Sequence, residues 1–421
     1  MFTTMRPILS VLLGVACLEL GLAAMSPLVS LQLARHAVAT ELIGLIQSAF
    51  FAGFLLGTVT CHRAIDRVGH TRAYSAFAAV SASVTLLHTL STEPYLWLAL
   101  RVVLGYAIAG QFVIVESWLN DKATTENRGR VFALYTTLAW GAGGLAPLAL
   151  NLPDRGGHLL FTIMTVLMTI SIVPLSLTTV GHPDSGQRNH FGIARLYRIS
   201  PLGVFTCFAS GFVNTPLFNL LPVYTEGKGF TTAELSLLLS LSTVGALLCQ
   251  YPIGMLADRF GRRPLMLASS LLATLSSAAM LAFERPSYAV LLGLIALTAT
   301  MTAPLYALGV GQTNDYVSKK DFVAASAGLL FAWALGASLG PTIAAALIGA
   351  LGPAGLFLFV AGSMLAVVVF ILIRMAARRA LSLREQSHYV PLPLTQGTQG
   401  APELDPRAQP LPTEGTPPRL P

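Results

Sequence analysis

Twelve long apolar runs divide the chain, at about 8–33, 42–61, 72–91, 95–117, 130–151, 159–179, 201–224, 233–256, 264–283, 287–311, 322–349 and 353–374. Each approaches the ~20 residues that a helix needs to cross a bilayer. The pattern predicts an all-α membrane protein with twelve transmembrane helices. Ionised side chains are rare inside the runs: Glu19 interrupts the first and Arg101 the fourth. A charge at bilayer depth costs roughly 2.5–3.5 kcal/mol on insertion scales, so it faces a partner or a wet cavity. One acid and one base alone in the oil predict a pair. At ~1.5 Å per residue, Glu19 lies ~16 Å from the inner end of its run and Arg101 ~9 Å from the outer end of its own. Gln111 and Glu116 fall near the inner mouth of the fourth run, with Glu116 expected at the interface.

Composition agrees: 54% of residues are hydrophobic and 11% charged, with a mean hydropathy of +0.68, against about 25% charged in an ordinary soluble domain. The net charge of +7 is explained by topology and calls for no nucleic acid. With the N-terminus inside, the inner segments hold 21 Lys and Arg, and the outer segments hold only Arg35, Arg155, Lys228 and Arg285. This bias predicts a multi-pass protein of the cytoplasmic (inner) membrane with both termini in the cytoplasm. Arg6 and the apolar run behind it resemble an export signal, but Glu19 is wrong for a signal core and the run is long enough to span. Cys17, Cys61, Cys207 and Cys249 lack metal-ligand spacing and read as small hydrophobes. The histidines form no metal motif, no phosphate-cradling Gly-rich loop is present, and no nucleophile triad is recognisable. Neither a cofactor nor an enzyme is implied.

The halves of the chain echo one another. Asp66-Arg67 recurs as Asp258-Arg259, Asn120-Asp121 as Asn314-Asp315, Pro147 as Pro341 and Pro27 as Pro222, at offsets of 192, 194, 194 and 195. Such a repeat predicts two six-helix bundles, over residues 1–180 and 201–379. They are joined by a polar cytoplasmic connector at 181–200 and followed by a tail at 380–421, rich in Pro, Gln, Thr and Gly and expected to be disordered from about Leu383.

The loop after the eighth run reads Gly254-Met-Leu-Ala-Asp258-Arg259-Phe-Gly261-Arg262-Arg263-Pro264. It resembles the G-x-x-x-D-R-x-G-R-R signature of the major facilitator superfamily. The resemblance implies a cytoplasmic latch at Asp258, Arg259, Gly261, Arg262 and Arg263 that stabilises an outward-open state. The first half keeps Asp66, Arg67 and Gly69, but has His62 for the leading glycine and His70-Thr71-Arg72 for the basic pair. Arg101-Val-Val-Leu-Gly105 is similar to the family's R-x-x-x-G element. Gly336-Ala-Ser-Leu-Gly340-Pro341 is similar to the antiporters' G-x-x-x-G-P, yet lies in the eleventh run and not the fifth; close packing is its plainer reading, as for Gly53 and Gly57. Glu116-Ser117-Trp118-Leu119-Asn120 and Glu126-Asn127-Arg128-Gly129-Arg130 resemble bacterial permeases of the YcaD type.

The superfamily resemblance implies a central cavity lined mainly by helices one, four, seven and ten. The charged runs are the first and fourth. Asn214 and Asn219 around Pro216, with Thr302 and Tyr306 around Pro304, are the expected substrate contacts, because broken helices expose backbone groups. Glu19 and Arg101 are the expected proton-coupling pair, similar to the acid-and-arginine arrangement of drug/proton antiporters. The expectation is a monomeric secondary transporter of a small-molecule substrate, exchanging it for protons across the lipid bilayer. Uptake of a sugar or organic acid, a transporter-like ligand sensor and a membrane-embedded enzyme are the alternatives.

Overall fold

A computed structural model describes residues 2–124, 127–153, 158–177, 192–318 and 321–377, together with residues 386, 389, 390 and 392. Its helices are α1 (Phe2–Ala23), α2 (Met25–Arg35), α3 (Thr40–Thr60), α4 (His62–Val68), α5 (His70–Leu87), α6 (Pro94–Lys122), α7 (Arg128–Leu145), α8 (His158–Ile170) and α9 (Ile172–Ser176). There follow α10 (Ile193–Ile199), α11 (Pro201–Asn219), α12 (Leu221–Lys228), α13 (Thr232–Phe260), α14 (Arg262–Met280), α15 (Tyr288–Thr302), α16 (Leu305–Asn314), α17 (Phe322–Leu351) and α18 (Gly355–Ala377). A short 3-10 turn, Ala146–Asn151, extends α7. The described residues contain no strand.

Ten helical stretches among them are long and apolar enough to cross a membrane. Two expected runs, 72–91 and 264–283, are helical as α5 and α14 but fall short in apolarity. Their small polar residues explain this. Ser81 of α5 is buried and accepts a hydrogen bond from Gln111 of α6 at 2.7 Å. Ser276 of α14 is buried 2.8 Å from the Thr298 hydroxyl of α15. Hydroxyls turned inward hold neighbouring helices together where lipid offers no partner, so these two helices need less oil than the others.

Several spans are interrupted where proline removes a backbone N–H. The first breaks at Ala24, three residues before Pro27, and the stretch made of α11 and α12 at Leu220, two before Pro222. The stretch made of α15 and α16 breaks between Thr302 and Leu305, at Pro304. Pro216, expected to break its helix, stays inside α11. The surface is apolar where a soluble protein's is polar: Leu9, Leu248, Leu275 and Ile373 are more than half exposed, while Gln47 and Gln111 are wholly buried. That inversion belongs to a protein solvated by lipid.

Most of the connector, 181–191, lies outside the described residues, and its end at 193–199 is helix α10. Within the tail, Tyr389, Val390 and Leu392 pack against the helical core, and the rest apart from Gln386 lies outside the described residues.

Candidate functional site

Arg101 is fully buried on α6, and its place is set by glycine. Gly105, one turn away on the same face, lets α6 approach α3 so closely that an added Cβ would lie 2.0 Å from the Phe50 carbonyl oxygen. The approach brings Gln47 and Phe50 of α3 to the guanidinium. Arg101 Nη2 donates to Gln47 Oε1 at 2.8 Å and to Ser26 Oγ at 2.7 Å, and the charge lies 4.5 Å from the Phe50 ring centroid. Gln47 Nε2 in turn donates to the Ser26 carbonyl at 2.9 Å and to Ser30 Oγ at 2.7 Å. One arginine therefore ties α6 to α3 and to the second part of the first span.

The expected pairing of Arg101 with Glu19 is not formed in this structure. No ion pair joins them, and Arg101 reaches Ser26, seven residues beyond Glu19, or about 10 Å along the helix axis. Glu19 faces a different neighbour. It is 3% exposed and has no hydrogen bond or ion pair among the described residues. The charge that acts on it through space is Glu116. Glu116 itself is wholly buried within the protein, and its Oε1 accepts a hydrogen bond from Tyr135 Oη at 3.1 Å. Tyr306 of α16 also lies within electrostatic range of Glu116, so the cluster draws on both halves of the chain. Continuous apolar sequence on both sides of Glu116, Val113-Ile114-Val115 and Trp118-Leu119, is the signal that marks its burial.

The remaining candidates divide. Asn214 and Thr302 are buried and satisfy one another: the Thr302 hydroxyl donates to Asn214 Oδ1 at 2.7 Å, and Asn214 Nδ2 donates to the Ser210 carbonyl at 3.0 Å. This joins α11 to α15 beside the break at Pro304. Asn219, 8% exposed, has a buried Nδ2 with no hydrogen-bond partner. Tyr306 is also 8% exposed, with its ring edge-on to Trp333 at 6.4 Å.

The two signature loops share a backbone turn. Gly69 and Gly261 have φ of 82° and 88° and ψ of 160° and 157°, a left-handed φ that glycine adopts freely. Asp66, Arg67, Asp258 and Arg259 are exposed beside these turns. The basic pair behaves otherwise than a free latch: Arg262 is 2% exposed, ion-paired to Asp315 and hydrogen-bonded to the Gly311 carbonyl at 2.6 Å. Arg263 donates to Tyr316 Oη at 3.0 Å. In the first half His70 takes the place of Arg262 and meets Ser117 Oγ at 3.3 Å.

Contacts between the halves concentrate away from these loops, where α3 packs on α17, α2 on α12 and α11, and α7 with its 3-10 turn on α13. Polar links at that end include Arg35 to Thr232 at 2.7 Å, Arg35 to Glu226 at 3.5 Å and Asn151 to Ser236 at 2.6 Å. Midway along α3, Ser48 Oγ meets Thr342 Oγ1 of α17 at 2.8 Å.

Comparison with known proteins agrees with this architecture. The family model of the Major Facilitator Superfamily matches residues 11–235 and 203–401. The uncharacterized MFS-type transporter YcaD of Shigella flexneri is 30% identical over 382 residues, covering 90% of this chain and 97% of that protein. Its namesake in Salmonella paratyphi A is 29% identical over 385 residues, with the same coverage. Among solved structures, the nucleoside transporter NupG superposes with a TM-score of 0.70 at 14% identity, covering 90% of this chain and all of that one. A bacterial homolog of the human lysosomal transporter Spinster, inward-facing and occupied, gives 0.68 at 17% identity, over 92% of this chain and 98% of its own. With a family model spanning nearly all of its helices and YcaD relatives matched almost end to end, the chain belongs to the major facilitator superfamily, as a multi-pass membrane transporter of the YcaD type.

Proposed function

We propose that this transporter exchanges protons for a small organic cation by alternating access, with Glu19 as the exchanging group and Glu116 beside it. The observation that carries the proposal is the buried, unpaired Glu19 carboxylate within electrostatic range of a second buried carboxylate. Two carboxylates in a low-dielectric site repel unless a proton or another cation sits with them. A proton and a cationic substrate then compete for one place, which is the requirement for antiport. Arg101, held by Gln47 and Ser26, does not neutralise the site in this conformation. Tyr135 and Tyr306 supply aromatic faces that suit a lipophilic cation.

In this proposal twelve helices span the membrane as two six-helix bundles, α5 and α14 included. The bias of Lys and Arg towards alternate loops puts the Gly69 and Gly261 turns and both termini in the cytoplasm. The contacts between halves around Arg35 then close the outer side, so this conformation faces inward. The chain acts as a monomer in the cytoplasmic membrane.

The test uses proteoliposomes holding a proton gradient, challenged with lipophilic cations, sugars, amino acids and organic acids. An organic cation is expected to collapse the gradient with wild-type protein and to leave it intact with Glu19→Gln. Glu116→Gln is expected to weaken the response while retaining some of it. Collapse by a sugar or an organic acid, or a Glu19→Gln variant as active as wild type, contradicts the proposal.

A further inference from the structure

We propose that the tail around Tyr389–Leu392 is an intramolecular wedge, that one face of α13 is its receptor, and that the seated wedge holds the two halves apart at the end bearing Gly69 and Gly261. The receptor is a stripe. Gln250, Gly254 and Asp258 are spaced four residues apart and so share one helix face, and each meets the tail differently. Gln250 is 2% exposed and grips the segment with both ends of its amide: Nε2 donates to the Leu392 carbonyl at 3.2 Å, and Oε1 accepts from Tyr389 Oη at 3.3 Å. Asp258 Oδ1 accepts the Tyr389 backbone N–H at 2.9 Å. Gly254 leaves room for the ring, since a Cβ there would lie 2.3 Å from Tyr389 Cδ1. The leading glycine and the acid of the signature loop thus read a peptide as well as shaping a turn.

The segment also reaches across to the other half. Tyr389 and Leu392 pack on the large apolar cluster that includes Ile253 and Ala257 of α13. Val390 and Leu392 pack on the separate cluster built from the first half, which includes Val11, Ile65 and Phe77. Leu392 belongs to both surroundings. Apart from this segment, the principal contacts between halves involve α2, α3 and α7 with its 3-10 turn, and none involves α4, α5 or α6. A side chain seated on both cores at this end must leave before the halves can close there. The sequence fits the role: Tyr389, Val390, Leu392 and Leu394 form an apolar patch in an otherwise polar tail, and Pro391 and Pro393 narrow the conformations the free chain loses on docking.

The functional meaning, restraint of the exchange cycle, rests on the transporter reading; the docking does not. Two readouts therefore avoid transport altogether. The first is hydrogen exchange in detergent, comparing the full chain with the full-length Leu392→Asp variant. The backbone amides of Gln386, Tyr389, Val390 and Leu392 are expected to exchange about tenfold faster in the variant, and those near Asp258 faster as well. The second is a spin-label distance between Val68→Cys and Phe260→Cys, both exposed beside the two turns, after Cys17, Cys61, Cys207 and Cys249 are replaced with alanine. The full chain is expected to show one long distance. Leu392→Asp, or a chain ending at Arg384, is expected to add a shorter one, and a peptide of residues 385–396 to suppress it again. Unprotected tail amides in the full chain, or a distance distribution that neither variant changes, would overturn the wedge. In proteoliposomes its removal is expected to raise the exchange rate several-fold. Absence of flux from every variant would count against the transport reading, with the wedge still decided by the other two measurements.

Discussion

Arg262→Ala is expected to cost about 3–5 kcal/mol of stability, because it removes the cationic partner of a buried ion pair. Both side chains are 2% exposed, and the guanidinium also holds the Gly311 carbonyl at 2.6 Å. Gly311 carries no side chain for a reason visible here: a Cβ would approach Arg262 Nε to 2.8 Å. The arginine therefore joins the first turn of α14 to the last turn of α16, and its loss leaves the Asp315 carboxylate without this cation in a desolvated place. Arg262→Lys keeps the charge but not the planar fork, so it is expected to fall between wild type and alanine. Thermal unfolding of the detergent-solubilised protein should rank the three in that order. Adding Asp315→Asn to Arg262→Ala should cost less than the two separate losses combined, because the pair is coupled. An alanine variant as stable as wild type would show that the pair holds nothing.

The signature loop was legible in the sequence as a motif, but its division of labour was not. Gly261 takes a left-handed φ at its motif position, and Gly69 repeats it in the first half. Arg262 and Arg263, by contrast, turn inward to Asp315 and Tyr316. The repeat placed Asp315 opposite Asp121 without assigning it a partner, since neighbours across a bundle have no one-dimensional signature. His70 in place of Arg262 does carry a consequence: it meets the Ser117 hydroxyl at 3.3 Å, where Arg262 of the second half meets the Asp315 carboxylate.

The same limit explains the charged residues. Hydrophobic continuity found Glu19 and Arg101 and set both at bilayer depth, where the structure buries them. It could not say that Arg101 turns to Ser26 and Gln47, because that choice depends on how α3 and α6 cross. Glu116 lies at the inner end of the fourth run as read from hydropathy, whereas α6 continues to Lys122 and α7 supplies Tyr135. The tail shows the reverse case. Its composition is that of a segment unable to build a core, yet Tyr389, Val390 and Leu392 need only a surface that others have built.

How α3 and α6 cross yields the second large effect. Gly105→Val is expected to destabilise the protein by about 1–3 kcal/mol or more and to abolish transport, since overpacking here moves backbones and not merely side chains. A Cβ at Gly105 would lie 2.0 Å from the Phe50 carbonyl oxygen and 2.8 Å from the Phe54 nitrogen, and one at Gly53 would lie 2.0 Å from the Val102 carbonyl oxygen. Neither helix has a flexible side chain at these points that could yield, so the axes must separate. Separation withdraws Gln47, now 2.8 Å from Arg101, and the Phe50 ring, 4.5 Å from its charge, and leaves the guanidinium buried without them. Arginine and glycine one turn apart are thus a single device, in which the glycine sets the distance that the arginine needs. Gly141→Ala and Gly293→Ala, where a Cβ meets nothing within 4 Å, are the matched controls. They are expected to be neutral or to gain up to about 1 kcal/mol from helix propensity. Gly105→Ala should fall between the extremes, and unfolding midpoints with gradient collapse, measured on all four variants, should fall together at position 105 alone. A Gly105→Val protein that unfolds like the controls would mean that α3 and α6 have room to spare, and the distance-setting role of the glycine would be lost.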